Sequence, residues 1–274
     1  MVAAQLALFP DDAPASESPT PLLAPVRVER GDLWALGNHR LLCGDATCAE
    51  DVARLMGGVK VDVLLTDPPY GMRLDTDFTS MKGGRDFRRK KSTRGGSRYA
   101  PVSGDNANFN ASHVLRHLGA IPEQFWFGAD YYAATLGDTM HAGAWLVWDK
   151  RCSEQFDRMF GSSFEMIWSR KRHKRDVLRH RWAGIFGTER EPIKRRLHPT
   201  QKPLPLIEDI LTRYSKPHMR VVDPYLGSGT TLIACERTRR TCYGMEIEPH
   251  YCDIILRRWE QATGQTAILL ERAS

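Results

Sequence analysis

The sequence predicts an open α/β domain built on a largely parallel sheet. Two observations carry that expectation. Strand-like and helix-like segments alternate through the C-terminal third, and the two most distinctive motifs each begin where a short apolar strand ends. The chain has 274 residues, 42% hydrophobic and 26% charged. That is enough to bury a core without disulfides or metal staples.

Residues 1–25 are rich in Ala, Pro, Ser and acidic residues and read as a disordered tail, leaving 26–274 as one domain. Val61–Thr66 is an apolar, β-branched run between Gly57-Gly58 and Pro68-Pro69, hence a buried strand ending at Asp67. Residues 73–110 carry glycine pairs and many basic residues without a period and read as a long basic loop. Ala144–Trp148 and Phe164–Trp168 read as strands, and Pro203–Tyr214 as a helix ending before Lys216-Pro217. A βαβα series follows. Arg220–Asp223 is a strand, Leu226–Thr231 a turn and Leu232–Arg240 a helix. Thr241–Ile247 is the next strand, and Pro249–Ala262 is a helix with proline in its first turn.

Composition excludes several classes. No apolar run approaches the roughly 18–20 residues of a membrane span. The start, MVAAQLALFPDD, lacks a basic region and makes a poor signal peptide. Six cysteines form no C-x-x-C pair, which argues for reduced thiols rather than a zinc ribbon or disulfide scaffold. Net charge is +6, yet Arg73–Pro101 carries +6 and Trp168–Lys202 carries +9, so the remainder is acidic. Concentrated positive charge on an acidic body points to a polyanion partner.

The motif Asp223-Pro-Tyr-Leu-Gly-Ser-Gly-Thr-Thr231 lies where a strand hands over to a helix, the place where open α/β sheets bind ligands. Gly227 and Gly229 allow a tight turn and close backbone approach. Glu246, at the end of the next strand, can accept from ribose hydroxyls. A dinucleotide loop would need glycine where Leu232 stands, and no phosphate loop with its lysine is present. A nucleoside with a cationic or zwitterionic end suits the motif better. The second motif, Thr66-Asp-Pro-Pro-Tyr-Gly71, is a stiff extended turn. The Asp67 carboxylate and the Pro68 carbonyl are two acceptors beside the flat face of Tyr70. Together they form a receptor for a planar ring bearing an amino group.

Asp67-Pro68-Pro69-Tyr70 upstream of Asp223-Pro-Tyr-Leu-Gly-Ser-Gly229 resembles the amino-methylating DNA methyltransferases that use S-adenosylmethionine, and the motif order resembles their circularly permuted β class. Leu42-Cys-Gly-Asp-Ala46 and His198-Pro-Thr-Gln-Lys-Pro203 resemble the segments that flank those motifs in that class. Tyr225 stands where Phe is more usual. The resemblance spans about Gly31–Gln261 and implies a Rossmann-like methyltransferase fold: a twisted, mostly parallel sheet, helices on both faces, and one antiparallel edge hairpin.

The resemblance also implies roles. Asp67, Pro68, Pro69 and Tyr70 would be catalytic, with Tyr70 stacking on a flipped base. Asp223, Gly227 and Gly229 would line the methionine side of S-adenosylmethionine and Glu246 would hold its ribose, with Asp67, Tyr225, Ser228, Thr230 and Ile247 also among the cofactor-binding residues. Asp45 and Ala46 would meet its adenine, and Thr200 and Lys202 its carboxylate. Methyl transfer releases a neutral thioether and needs no metal. Asp at the first catalytic position goes mostly with adenine N6, and Ser with cytosine N4. The alternatives are cytosine-N4 methylation, or a DNA-binding relative without catalysis. A target-recognition insertion would occupy about 150–197. DNA would meet Arg88, Arg89, Lys90, Lys91 and Arg94 on one segment. On the other it would meet Arg170, Lys171, Arg172, Lys174, Arg175, Arg179 and Arg181. The implied setting is a bacterial or phage restriction-modification enzyme, site-specific or of low specificity. It would be cytoplasmic and nucleoid-associated, act on double-stranded DNA away from membranes, and have the option of a homodimer.

Overall fold

The computed structural model describes residues 25–72, 102–154, 161–182 and 197–272. The basic-loop residues expected to meet DNA, Arg88, Arg89, Lys90, Lys91 and Arg94, lie outside the described residues.

The first strands are β1 (Leu33–Leu36), β2 (His39–Cys43) and β3 (Val63–Thr66), with helix α1 (Ala49–Met56) before β3. Helix α2 (Ser112–Leu118) leads into β4 (Glu123–Phe127), and α3 (Ala133–Leu136) follows it. Then come β5 (Ala144–Asp149), β6 (Phe164–Ser169), β7 (Val177–Arg179) and α4 (Leu204–Tyr214). The last series is β8 (Arg220–Asp223), α5 (Thr230–Arg237), β9 (Thr241–Glu246), α6 (Pro249–Thr263) and β10 (Ile268–Glu271). The described strands form one sheet in the order β10-β1-β2-β9-β8-β3-β4-β6-β5-β7.

Strands β2, β9, β8, β3 and β4 form a continuous parallel block. The sequence anticipated a single antiparallel edge hairpin, but antiparallel pairing occurs on both sides of this block. On one side β2 turns back into β1, which pairs with β10; on the other, β6 runs against both β4 and β5. Residues 161–182, expected within a recognition insertion, therefore supply two strands of the sheet itself. A strand buried on both faces tolerates little polar alternation, and β3 is apolar up to its last residue, Thr66: Val63 and Leu65 face one core, Leu64 the other. Helices α4, α5 and α6 pack on the first face through residues such as Ile207, Leu232 and Ile255. Helices α1, α2 and α3 cover the second through Leu55, Val114 and Leu136. Among the described residues, no helix is long and apolar enough to cross a membrane.

The parallel block sets the position of the site. Its strands end together, so Asp67, Asp223 and Glu246 emerge at one edge, where crevices form in such sheets. Because β6 runs the other way, its first residues, Phe164 and Glu165, reach that same edge. Its last residues point to the opposite end.

Candidate active site

A cavity of about 910 Å³ opens at this edge and is lined by both motifs. At one end lie Asp223 and Glu246, each nearly enclosed. Thr231 Oγ1 donates to Asp223 Oδ2 at 2.6 Å and the Tyr225 amide to Oδ1 at 3.0 Å. The Gly227 amide donates to Glu246 Oε2 at 2.8 Å and the Glu248 amide to Oε1 at 3.0 Å. Burial outweighs these bonds and pushes both carboxyls up to about 7. Two such groups at a cavity wall favour a ligand that brings positive charge. Gly229 closes the turn at φ 84°, and a Cβ there would stand 2.8 Å from Ile255. Only glycine lets α6 approach this loop so closely.

The other end is built on ion pairs. Asp67 Oδ1 accepts from the Tyr70 hydroxyl, and Asp67 Oδ2 from Lys202 Nζ at 2.5 Å. Lys202 also reaches Glu165 Oε1 at 3.2 Å, Lys150 meets Glu165 Oε2 at 2.8 Å, and the Tyr70 hydroxyl lies 3.1 Å from Glu165 Oε1. Burial raises the Asp67 carboxyl; Lys202 opposes that only in part, and the charge of Glu165 reinforces it. Burial also disfavours the Lys202 ammonium, but the two carboxylates prevail and raise its pKa.

The Tyr70 ring lies on Gly128, where a Cβ would fall 2.2 Å from the ring. It stacks on Tyr131 with centroids 5.3 Å apart and planes at 7°. Tyr131 is 58% exposed, unusual for so large an apolar surface, and it shares the cavity mouth with Met72 and Phe164.

The structure gathers most of the expected site residues. Asp45, Ala46, Asp67, Pro68, Pro69, Tyr70, Thr200, Lys202, Asp223, Tyr225, Gly227, Ser228, Thr230, Glu246 and Ile247 all line the cavity, and Gly229 braces its wall. Two placements differ from expectation. Lys202 was expected to face a ligand carboxylate, but its ammonium pairs with Asp67 and Glu165. Asp45 was expected to accept from an adenine amino group, but its Oδ1 already accepts from the amide and hydroxyl of Thr47 at 2.8 and 2.7 Å. The second Asp45 oxygen lies 3.9 Å from Arg30.

The second basic cluster divides. Arg170 and Lys171 follow the far end of β6: Arg170 donates to the Gly119 carbonyl and Lys171 sits 3.8 Å from Glu123 at the start of β4. Arg172, Lys174 and Arg175 are exposed in the turn that continues from there. Glu165 and Arg170 are separated along β6 by roughly 17 Å, at about 3.3 Å per residue. The chain then returns through β7, which runs parallel to β5, so Arg179 and Arg181 arrive at the cavity end. The cluster expected to act as one surface is thus split between opposite ends of the sheet.

Sequence reasoning missed Glu165, Lys150, Tyr131, Phe109 and His113. Glu165 left a signal, since it is a charge on the strand face that also carries Ile167, part of the first core. Phe109 packs edge-on against Tyr225, 5.7 Å between centroids, and His113 Nε2 lies 2.5 Å from the Tyr225 hydroxyl. Both close the cavity beside Asp45, and both sit at or beyond the end of the basic stretch, where no period marks them.

Known proteins resemble the chain in parts. The DNA methylase family matches residues 144–257, from β5 into α6. That stretch contains the His198–Pro203 and Asp223–Gly229 segments and leaves the Asp67–Tyr70 turn upstream. The Type II methyltransferase M.ScaI of Streptomyces caespitosus is 36% identical over 74 residues, 27% of this chain and 24% of that protein. M.BglII of Bacillus subtilis is 43% identical over 58 residues, 21% of this chain and 16% of that protein. The chain thus matches less than a quarter of the length of these two relatives. The crystal structure of the M1.HpyAVI–SAM complex aligns with a TM-score of 0.50 at 19% identity, over 80% of this chain and 97% of that one. At that identity the likeness is one of fold, and it supports the Rossmann-like architecture. Residues 144–257, somewhat under half of the chain, are thus similar to the DNA methylase family.

Proposed function

We propose that this protein transfers a methyl group from S-adenosylmethionine to an exocyclic amino nitrogen of a base in double-stranded DNA, namely adenine N6. One observation carries the reading: a single cavity joins a carboxylate cradle suited to a cationic nucleoside with a rigid turn of acceptors beside an aromatic ring. The cofactor fits the residues present. Asp223 and Glu246, held near neutrality by burial, gain from a ligand with sulfonium and ammonium charges. Gly227 and Gly229 keep the approach open, while Tyr225, Phe109 and His113 offer flat surfaces for an adenine ring. When bound, S-adenosylmethionine supplies an electrophilic methyl carbon whose leaving group is a neutral thioether.

The chain supplies positioning and acceptors. A target base must leave the duplex to reach a cavity of this kind. Asp67 and the Pro68 carbonyl accept the two N–H bonds of the amino group, which draws its lone pair out of conjugation and aims it across the cavity. Tyr70 offers a ring face to the base. Once methylated the nitrogen would be acidic, and Asp67, with its raised pKa, or water would take the proton. Such orientation accounts for a large share of the acceleration. Arg179 and Arg181, at the cavity end of β7, are placed to meet phosphates. Asp67 itself supports adenine over cytosine, because the class it resembles carries Ser for the latter.

The test is sequencing of modified bases in DNA from a methylation-deficient host expressing the protein. N6-methyladenine supports the whole reading. N4-methylcytosine keeps the chemistry and changes the base. Unmodified DNA, together with purified protein that fails to bind S-adenosylmethionine, overturns it.

A further inference from the structure

We propose that Glu165 is a positioning residue for methyl transfer, clamping Lys202 and the Tyr70 hydroxyl against Asp67. The proposal rests on the methyl-transfer reading and adds to it a residue outside both motifs. Glu165 opens β6, an antiparallel strand beside the parallel block, and its side chain is 11% exposed. Two lysines donate to it, Lys150 at 2.8 Å and Lys202 at 3.2 Å, and the Tyr70 oxygen, whose one proton goes chiefly to Asp67, lies 3.1 Å away. A glutamate needed only to solvate the start of a strand would face water.

The chemistry explains the arrangement. Were Lys202 paired with Asp67 alone, the ammonium would saturate the carboxylate that must accept an amino group. Glu165 shares Lys202, so Asp67 keeps both its fixed geometry and its affinity for a proton. The two acids are accordingly driven apart. Burial, reinforced by Glu165, raises Asp67. Burial would raise Glu165 too, but Lys202 and Lys150 together pull it below its ordinary value. Divergent partners of this kind mark a division between a proton acceptor and a fixed charge. The groups around the pair are few. Asp67 senses Lys202, Glu165, Tyr70, the Tyr132 phenol and Asp223, and Glu165 senses Lys202, Lys150, Tyr70 and Asp130.

The signs of two substitutions then oppose each other. Glu165→Gln removes a negative charge and leaves Lys202 wholly to Asp67, lowering the Asp67 pKa. Lys150→Gln removes a positive charge and raises it. The experiment follows the Asp67 carboxyl by 13C NMR, assigned through Asp67→Asn, alongside the pH dependence of kcat in the full chain. Glu165→Gln should lower kcat about tenfold or more with KM for DNA and S-adenosylmethionine within threefold. Its acid limb should move to lower pH, and that of Lys150→Gln to higher pH. Glu165→Asp should recover part of the loss. An unchanged Asp67 titration in both variants, or movement in the same direction, overturns the clamp. If Glu165→Gln fails to fold, Lys150→Gln and Glu165→Asp carry the same readout. A wild type that transfers no methyl overturns the functional reading, while the opposed titrations still decide the clamp.

Discussion

The two ends of the cavity hold buried carboxylates by opposite means. Asp223 and Glu246 are held by backbone amides and a threonine hydroxyl, and burial leaves each near 7. Asp67 and Glu165 are held by two lysines and a phenol. A neutral donor satisfies a lone pair but adds no charge, so the first pair is completed only by a cationic ligand. The second pair carries its own cations and is set before any ligand arrives. On the proposed reading, the difference separates recognition of the methyl donor from preparation of the acceptor.

Breaking the lysine-held end should have the largest effect. Asp67→Ala is expected to cost about 10²–10³-fold in turnover, with S-adenosylmethionine affinity within a few-fold, measured by methyl transfer to DNA and by calorimetry. A variant retaining a tenth of wild-type turnover would deny Asp67 its role. Gly128→Ala attacks the same end through its aromatic wall. A Cβ 2.2 Å from Tyr70 forces the ring aside, and turnover should fall more than about tenfold, at a stability cost of about 1–3 kcal/mol.

The other end should respond to pH. A carboxyl that titrates near 7 in the free protein and ionises on binding makes S-adenosylmethionine affinity rise about tenfold from pH 6 to pH 8, with proton release visible by calorimetry in buffers of different ionisation heat. A flat affinity would mean that neither acid faces the ligand's charge. The free protein shows the converse. Both folded pKa values exceed the ordinary value of about 4. The associated stability is therefore complete below pH 4 and lost as pH rises through 7. Asp223→Asn should recover about 1–2 kcal/mol of it at pH 8, read by denaturant unfolding.

The smallest effect is expected at the far end of the sheet. Arg172→Ala and Arg175→Ala should leave the methylated sequence context unchanged, whereas Arg179→Ala and Arg181→Ala should weaken DNA binding and reduce the log–log salt slope by about 0.9 per contact. A context change from Arg172 alone would show that DNA reaches around the sheet.

The same contrast governs what could be read from the sequence. The donor end is local: Asp223, the glycines and Glu246 fall within one strand–helix–strand unit, whose spacing reports their geometry. The strands β3, β5, β6, β8 and β9 were legible from their apolar runs. The hairpin of β1 and β2, the central strand β4 and the edge strand β10 were not: β1 and β2 are buried but very short, β4 opens on two polar residues, and β10 is mostly exposed. The acceptor end is assembled across the chain. Lys202 was expected opposite a ligand; its partner Glu165 showed as a lone charge on a core-facing strand, but only the direction of β6 brings it to the cavity. That same reversal of β6 carries Arg170–Arg175 away, a separation invisible in a linear run of positive charge.

Strand order also has a consequence for synthesis. The Asp67–Tyr70 turn follows β3, whose neighbour on one side is β8, paired through Val63 and Val221. At about 5–20 residues per second, roughly 10–30 s separate the emergence of these two strands from the ribosome. Until then β3 lacks a flank, Lys202 has not yet arrived, and the cradle does not exist. On the methyl-transfer reading, a polypeptide halted before β8 would carry Asp67 and Tyr70 without the strand and the lysine that set them.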